Sequence, residues 1–133
     1  MAADGMADST RSAGCPVADR YRRMSGELIA RLESQLGGPR DGALLRFSLA
    51  NAHAAAGHAE AALEACRAAL DFDPQYSAAW KLLGRLLAQT GDVAGAIAAY
   101  ERGIAAAAAR GDVQAGREMG VFLRRLTRPA TPD

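Results

Sequence analysis

The stretch that decides the fold runs from Ser77 to Arg110 and reads SAAWKLLGRLLAQTGDVAGAIAAYERGIAAAAAR. Its central Gly91 divides two helical runs, 76–90 and 93–109. A glycine just past a helix end takes the left-handed backbone at little cost, where other residues lose about 1–2 kcal/mol. Asp92 follows directly as an N-cap for the second run. Moving the chain by 34 residues lays the preceding stretch, 43–76, on this one: Leu49 falls on Leu83, Ala54 on Ala88, Gly57 on Gly91, Ala62 on Ala96 and Ala65 on Ala99. The earlier copy splits in the same way into 43–56 and 59–71, and Pro74 closes it because proline has no N–H with which to continue a helix.

The flanks extend the pattern. Leu28, Leu32 and Leu36 form an apolar stripe that predicts a helix over 19–36, starting at Asp19 and stopped by Gly37, Gly38 and Pro39. Shifted by another 34 residues, Leu28 falls on Ala62 and Leu32 on Cys66, so this helix reads as the second half of a degenerate copy. Asp112 to Thr127 carries Val113, Met119, Phe122, Leu123 and Leu126 on one side, with Arg117, Arg124 and Arg125 left to face water, which predicts a solvating cap over 112–127. Residues 1–18 and 128–133 are small and polar and are expected to be disordered tails. The expected organisation is one helical domain over 19–127.

Composition agrees with helices and narrows the function. The 133 residues include 32 alanines and only 5% aromatics, which favours close helix packing over a β-sandwich. The net charge of +1 gives no general basic footprint for nucleic acid or an anionic membrane. Locally the balance differs: residues 41–76 carry −3 and residues 77–110 carry +2. No apolar run reaches bilayer length, and although Ser12-Ala13-Gly14-Cys15 faintly resembles a lipoprotein cleavage box, no apolar stretch precedes it. Cys15 and Cys66 have no metal-ligand spacing, and Cys66 is expected to act as a small core hydrophobe. A reducing cytoplasm is the expected compartment. His53 and His58 lack a nucleophile or carboxylate at triad spacing, and Gly37-Gly38 lacks the Lys-Ser/Thr of a phosphate loop, so neither an enzyme nor a cofactor is expected.

The second copy resembles the tetratricopeptide repeat: Trp80, Leu83 and Gly84 match, Leu87 replaces the first Tyr, Ala96 precedes Tyr100 by four, and Ala108 replaces the closing Pro. The first copy matches at Leu49, Ala62 and Pro74, with Arg46, Ala50, His53 and Cys66 at the other positions. The resemblance implies an all-α superhelix of antiparallel helix hairpins with an extra N-terminal helix and a capping C-terminal one, built as a right-handed array of about six helices. It also implies a protein-interaction module whose first helices line a concave groove for a peptide or partner segment. Carried over by spacing, that groove holds Leu44, Phe47 and Asn51 at an apolar end and Lys81, Arg85 and Gln89 at a basic end. His53 then stands at an aromatic core position and is expected to be partly buried and hydrogen-bonded.

The clamp that some members use for acidic chaperone tails is not matched, because only Asn51 fits. Phe47, Leu82, Asp112 and Gly116 occupy its other positions. A second mode, self-association through helix one or through Phe122 and Leu126 on the last helix, follows from the exposed ends of a short array. At the backbone, Gly91→Ala is expected to lose about 1 kcal/mol, and Gly103→Ala, inside a helix, to be neutral or stabilising unless close packing forbids it.

Overall fold

The computed structural model describes residues 16–128, all-α, with six helices. They are α1 (Pro16–Glu33), α2 (Ala43–Ala55), α3 (Ala59–Phe72), α4 (Ser77–Gln89), α5 (Val93–Arg110) and α6 (Val113–Thr127). Residues 1–15 and 129–133, most of the expected tails, lie outside the described residues. The first helix differs from expectation at both ends. It starts at Pro16 rather than Asp19, since proline at a first helical position gives up only an N–H that has no helical partner anyway. It ends at Glu33, where successive i→i+3 bonds from Gln35 to Leu32 and from Leu36 to Glu33 tighten the chain into turns before Gly37, at φ 78°.

Three helix ends share one stop. After α2, Gly57 (φ 83°) donates to the carbonyl of Ala54 while His58 donates back to that of His53 at 2.8 Å. After α4, Gly91 (φ 94°) and Asp92 do the same with Ala88 and Leu87, and after α5 Gly111 (φ 73°) and Asp112 with Ala108 and Ala107. The paired bonds satisfy carbonyls that a helix end leaves open, and the left-handed residue between them turns the chain. Asp92 and Asp112 then cap the next helices by accepting from the amides of Gly95 and Ala115.

Packing follows the hairpins. α2 lies on α3 and α4 on α5, and each pair stacks on the next, with α3 against α4 and α5 against α6. The first helices α2, α4 and α6 also touch in succession, whereas among the described residues α1, α3 and α5 do not touch one another, so the α2–α4–α6 layer is the inside of the curve. The main core joins Ala50, Cys66, Trp80, Leu83, Tyr100 and Met119 with their neighbours, and a smaller cluster of Ile29, Leu49 and Ala52 fixes α1 to α2. Cys66 is fully buried, and burial pushes its thiol up to about 12, which suits an inert core residue.

Two glycines hold the α4/α5 hairpin close. A Cβ on Gly84 would stand 2.6–2.8 Å from the Tyr100 ring, and one on Gly103 would stand 2.6 Å from the Trp80 Cβ and overlap the Met119 sulfur. Gly103 is therefore not the permissive position that its place inside a helix suggests.

Polar ties gather at the loops between pairs. Arg110 grips Asp73 through both carboxylate oxygens at 2.7 Å, Ser77 donates to Asp112 at 3.0 Å, and the Trp80 indole donates to the Pro74 carbonyl at 2.7 Å. Ahead of α2, Asp41 accepts from Arg46 at 2.8 and 2.9 Å and from the Gly37 amide. Bonds from these arginines hold the carboxyls of Asp41 and Asp73 well below the usual carboxylate range.

Gly103→Ala is expected to lose about 1–3 kcal/mol through overpacking against Trp80 and Met119, at least as much as Gly91→Ala, whose cost is left-handed strain of about 1 kcal/mol. Urea unfolding of both variants followed by circular dichroism measures the order. Asp73→Asn should cost no more than about 1 kcal/mol near neutral pH, because both members of its pair reach water. A lowered folded-state carboxyl value gives stability that is present above the unfolded value and lost as pH falls through the folded one. The gap between wild type and Asp73→Asn should therefore close on acidification, read from urea midpoints at stepped pH.

Candidate functional site

Along the inner layer, α4 places Lys81, Arg85 and Gln89 on one face, four residues apart, because that spacing is about one helical turn. Opposite them stands α6. Two adjoining hollows of about 280 Å³ each run between these helices and share Arg85 and Phe122. The first is walled by Lys81, Glu118 and Val121, and the second by Gln89, Tyr100, Arg125 and Leu126. The three α4 residues expected at a basic end therefore lie together on a shared wall.

Their chemistry is not equivalent. Lys81 donates to Glu118 at 2.7 Å, and that bond holds the Glu118 carboxyl below its usual range. Arg85 and Arg125 have no carboxylate partner among the described residues. Arg125 stands 5.9 Å from the centre of the Phe122 ring, a cation–π distance. Phe122 in turn lies 5.7 Å from Tyr100, whose hydroxyl is pushed upward by burial while Arg85 pulls it the other way. The result is an aromatic floor, Phe122 beside buried Tyr100, in one hollow with two arginines.

The residues expected at the apolar end do not join this site as a set. Phe47 is half-buried and tilts against Tyr76 at 5.1 Å, a packing contact between the two pairs. Leu44 is 69% exposed at the start of α2. Asn51 is exposed and lines a separate hollow between α1 and α2. Leu82, at one of the clamp positions, is buried, so it is unavailable to a ligand. His53 is partly buried, with its Nδ1 3.2 Å from that of His58 and its Nε2 3.9 Å from Glu33. Among the described residues no group of three His, Cys, Asp or Glu side chains could hold a metal ion, and no helix is long and apolar enough to cross a membrane.

Sequence reasoning missed the α6 side of the groove. Phe122 and Leu126 read as the apolar side of a cap and Arg125 as its solvated side, and all three line the second hollow. The missed signal is the tripeptide Gly111-Asp112-Val113, which repeats Gly91-Asp92-Val93 and marks α6 as another repeat helix.

Comparison with known proteins agrees with this arrangement. The tetratricopeptide repeat family matches residues 45–119. The TPR repeat-containing protein PA0015 of Pseudomonas aeruginosa is 49% identical over 104 residues, covering 78% of this chain and 99% of that protein. The solution structure of protein BPP2914 from Bordetella parapertussis is 53% identical, with a TM-score of 0.66, over 75% of this chain and 87% of its own. The Sgt2 TPR domain from Aspergillus fumigatus, at 26% identity, superposes with a TM-score of 0.59 over 89% of this chain and 86% of its own. Repeat spacing, paired helices, glycine-aromatic packing and these similarities together place the chain in the tetratricopeptide repeat family.

Proposed function

We propose that the chain is a non-catalytic adaptor that holds an extended segment of a partner protein along the inner α2–α4–α6 layer, with its main hold between α4 and α6. The observation that carries this reading is the pair Arg85 and Arg125, without carboxylate partners among the described residues and lining one hollow with Phe122, beside a lysine that already has its own carboxylate. Such a floor suits a segment that offers an acidic side chain next to an aliphatic or aromatic one. The acid pairs with a guanidinium and the apolar group covers Phe122 and Leu126. Gln89 adds an amide that can bond an extended backbone. Exposed Leu44 and Asn51 are secondary contacts on α2, outside the main hold, and Phe47 is taken up by its packing on Tyr76. Exposed pairs contribute about 0–1 kcal/mol each, so capture is expected to be weak and reversible.

A peptide array of bacterial protein segments, probed with native protein and with Arg85→Glu/Arg125→Glu, tests this. The variant is expected to lose acidic-aliphatic spots by about tenfold or more, the effect of removing two exposed pairs and adding repulsion. Identical capture by both proteins would remove the groove from the mechanism. Lys81 is left alone in this test, because changing it also breaks its bond to Glu118.

A further inference from the structure

The hollow at the ends of α4 and α6 asks for two acids and an apolar group on one face of a chain. Arg85 and Arg125 line it without carboxylate partners among the described residues, together with Phe122, Tyr100 and Leu126. The protein itself holds a segment of that chemistry. Residues 4–8 read Asp4-Gly5-Met6-Ala7-Asp8. In an extended chain alternate side chains point the same way, so Asp4, Met6 and Asp8 share one face and only Gly5 and Ala7 take the other. The acids match the guanidiniums, and a thioether packs favourably on aromatic rings. Residues 129–133, which follow α6, hold one acid and no large apolar side chain.

Reach allows the contact. α1 and α2 pack together across a short connection and run antiparallel, which sets the start of α1 level with the end of α2. α2, α4 and α6 run the same way, and the hollow takes Gln89 and Leu126 from the last turns of α4 and α6. The start of α1 therefore lies at the same end of the stack as the hollow, two helix spacings away, or about 20 Å. Pro16 is eight residues from Asp8 and twelve from Asp4, lengths that span about 26 and 40 Å when extended.

We propose that residues 4–8 occupy the α4/α6 hollow of their own molecule, with Asp4 and Asp8 on Arg85 and Arg125 and Met6 on Phe122, and so compete with the partner segment. The inference rests on the groove reading above. Charge rejects the nearer hollow between α1 and α2, where Glu27 opposes the aspartates as Arg31 attracts them. A tethered segment acts at an effective concentration in the millimolar range, so even weak pairs fill the groove in part, and partner affinity falls with the fraction of grooves left open.

Paramagnetic relaxation in the full chain tests the proposal. A nitroxide on Ser9→Cys, in a Cys15→Ser background with Cys66 shielded by full burial, is expected to broaden the amides of Gln89, Phe122 and Leu126. Asp4→Lys/Asp8→Lys should remove that broadening, and adding Arg85→Glu/Arg125→Glu should restore it, because both partners then exchange sign. Spin-labelled protein mixed with isotope-labelled, spin-free protein should show none, since the contact lies within one molecule. On the peptide array, Asp4→Asn/Met6→Ser/Asp8→Asn should hold acidic-aliphatic spots about two- to tenfold more tightly than native protein. Broadening at Leu28 and Ala52 instead of the groove, broadening that survives Asp4→Lys/Asp8→Lys, or broadening across the mixture would each overturn the proposal. Groove broadening without array capture supports it and removes the adaptor reading, and array capture without groove broadening does the reverse.

Discussion

The structure depends on a reciprocal exchange between α4 and α5. Gly84 on α4 receives the Tyr100 ring from α5, and Gly103 on α5 receives Trp80 from α4, with Met119 of α6 closing over the same point. Each bulky side chain sits where its neighbour has none. A pair of helices rich in alanine has few large side chains with which to fix a register, and two such interlocks fix both the rotation and the offset of the hairpin. α6 is held to this pair through Met119, which is fully buried, and so the inner surface on which Arg85 and Phe122 meet inherits its geometry from the packing behind it.

The interior of the repeat was legible because its signals are local. Gly57 and Gly91 mark their turns by position alone, and α2 to α5 begin and end within one residue of the periodic boundaries. The close packing at Gly103 was not legible because nothing near it in sequence announces Trp80, 23 positions earlier. The hint lay in the other copy, where the 34-residue shift sets fully buried Ala69 opposite Gly103, just as it sets buried Ala50 opposite Gly84. A small residue in both copies at one position is a packing signal that helix propensity does not carry.

The groove was half legible for a related reason. Spacing along one helix groups Lys81, Arg85 and Gln89, and they do share a face. Spacing cannot show that Lys81 is occupied by Glu118, 37 residues away, or that Phe122 and Arg125 complete the opposite wall. The start of α1 shows the limit on the other side: Asp19 is a better N-cap by residue type, but Pro16 brings its backbone angle already set, and the helix begins there.

Apart from Lys81 with Glu118 in the groove, the ties between successive pairs lie along one edge of the stack. Asp73 with Arg110, Ser77 with Asp112 and Trp80 with the Pro74 carbonyl all act at the connecting loops, while no hydrogen bond among the described residues joins the turn at Gly57 to the turn at Gly91. The stack is bound like a book, with a spine and a loose fore-edge. Fanning about that spine has to break the Lys81–Glu118 bond and unseat buried Met119, so the seam between α4 and α6 is the stitched part of the fore-edge.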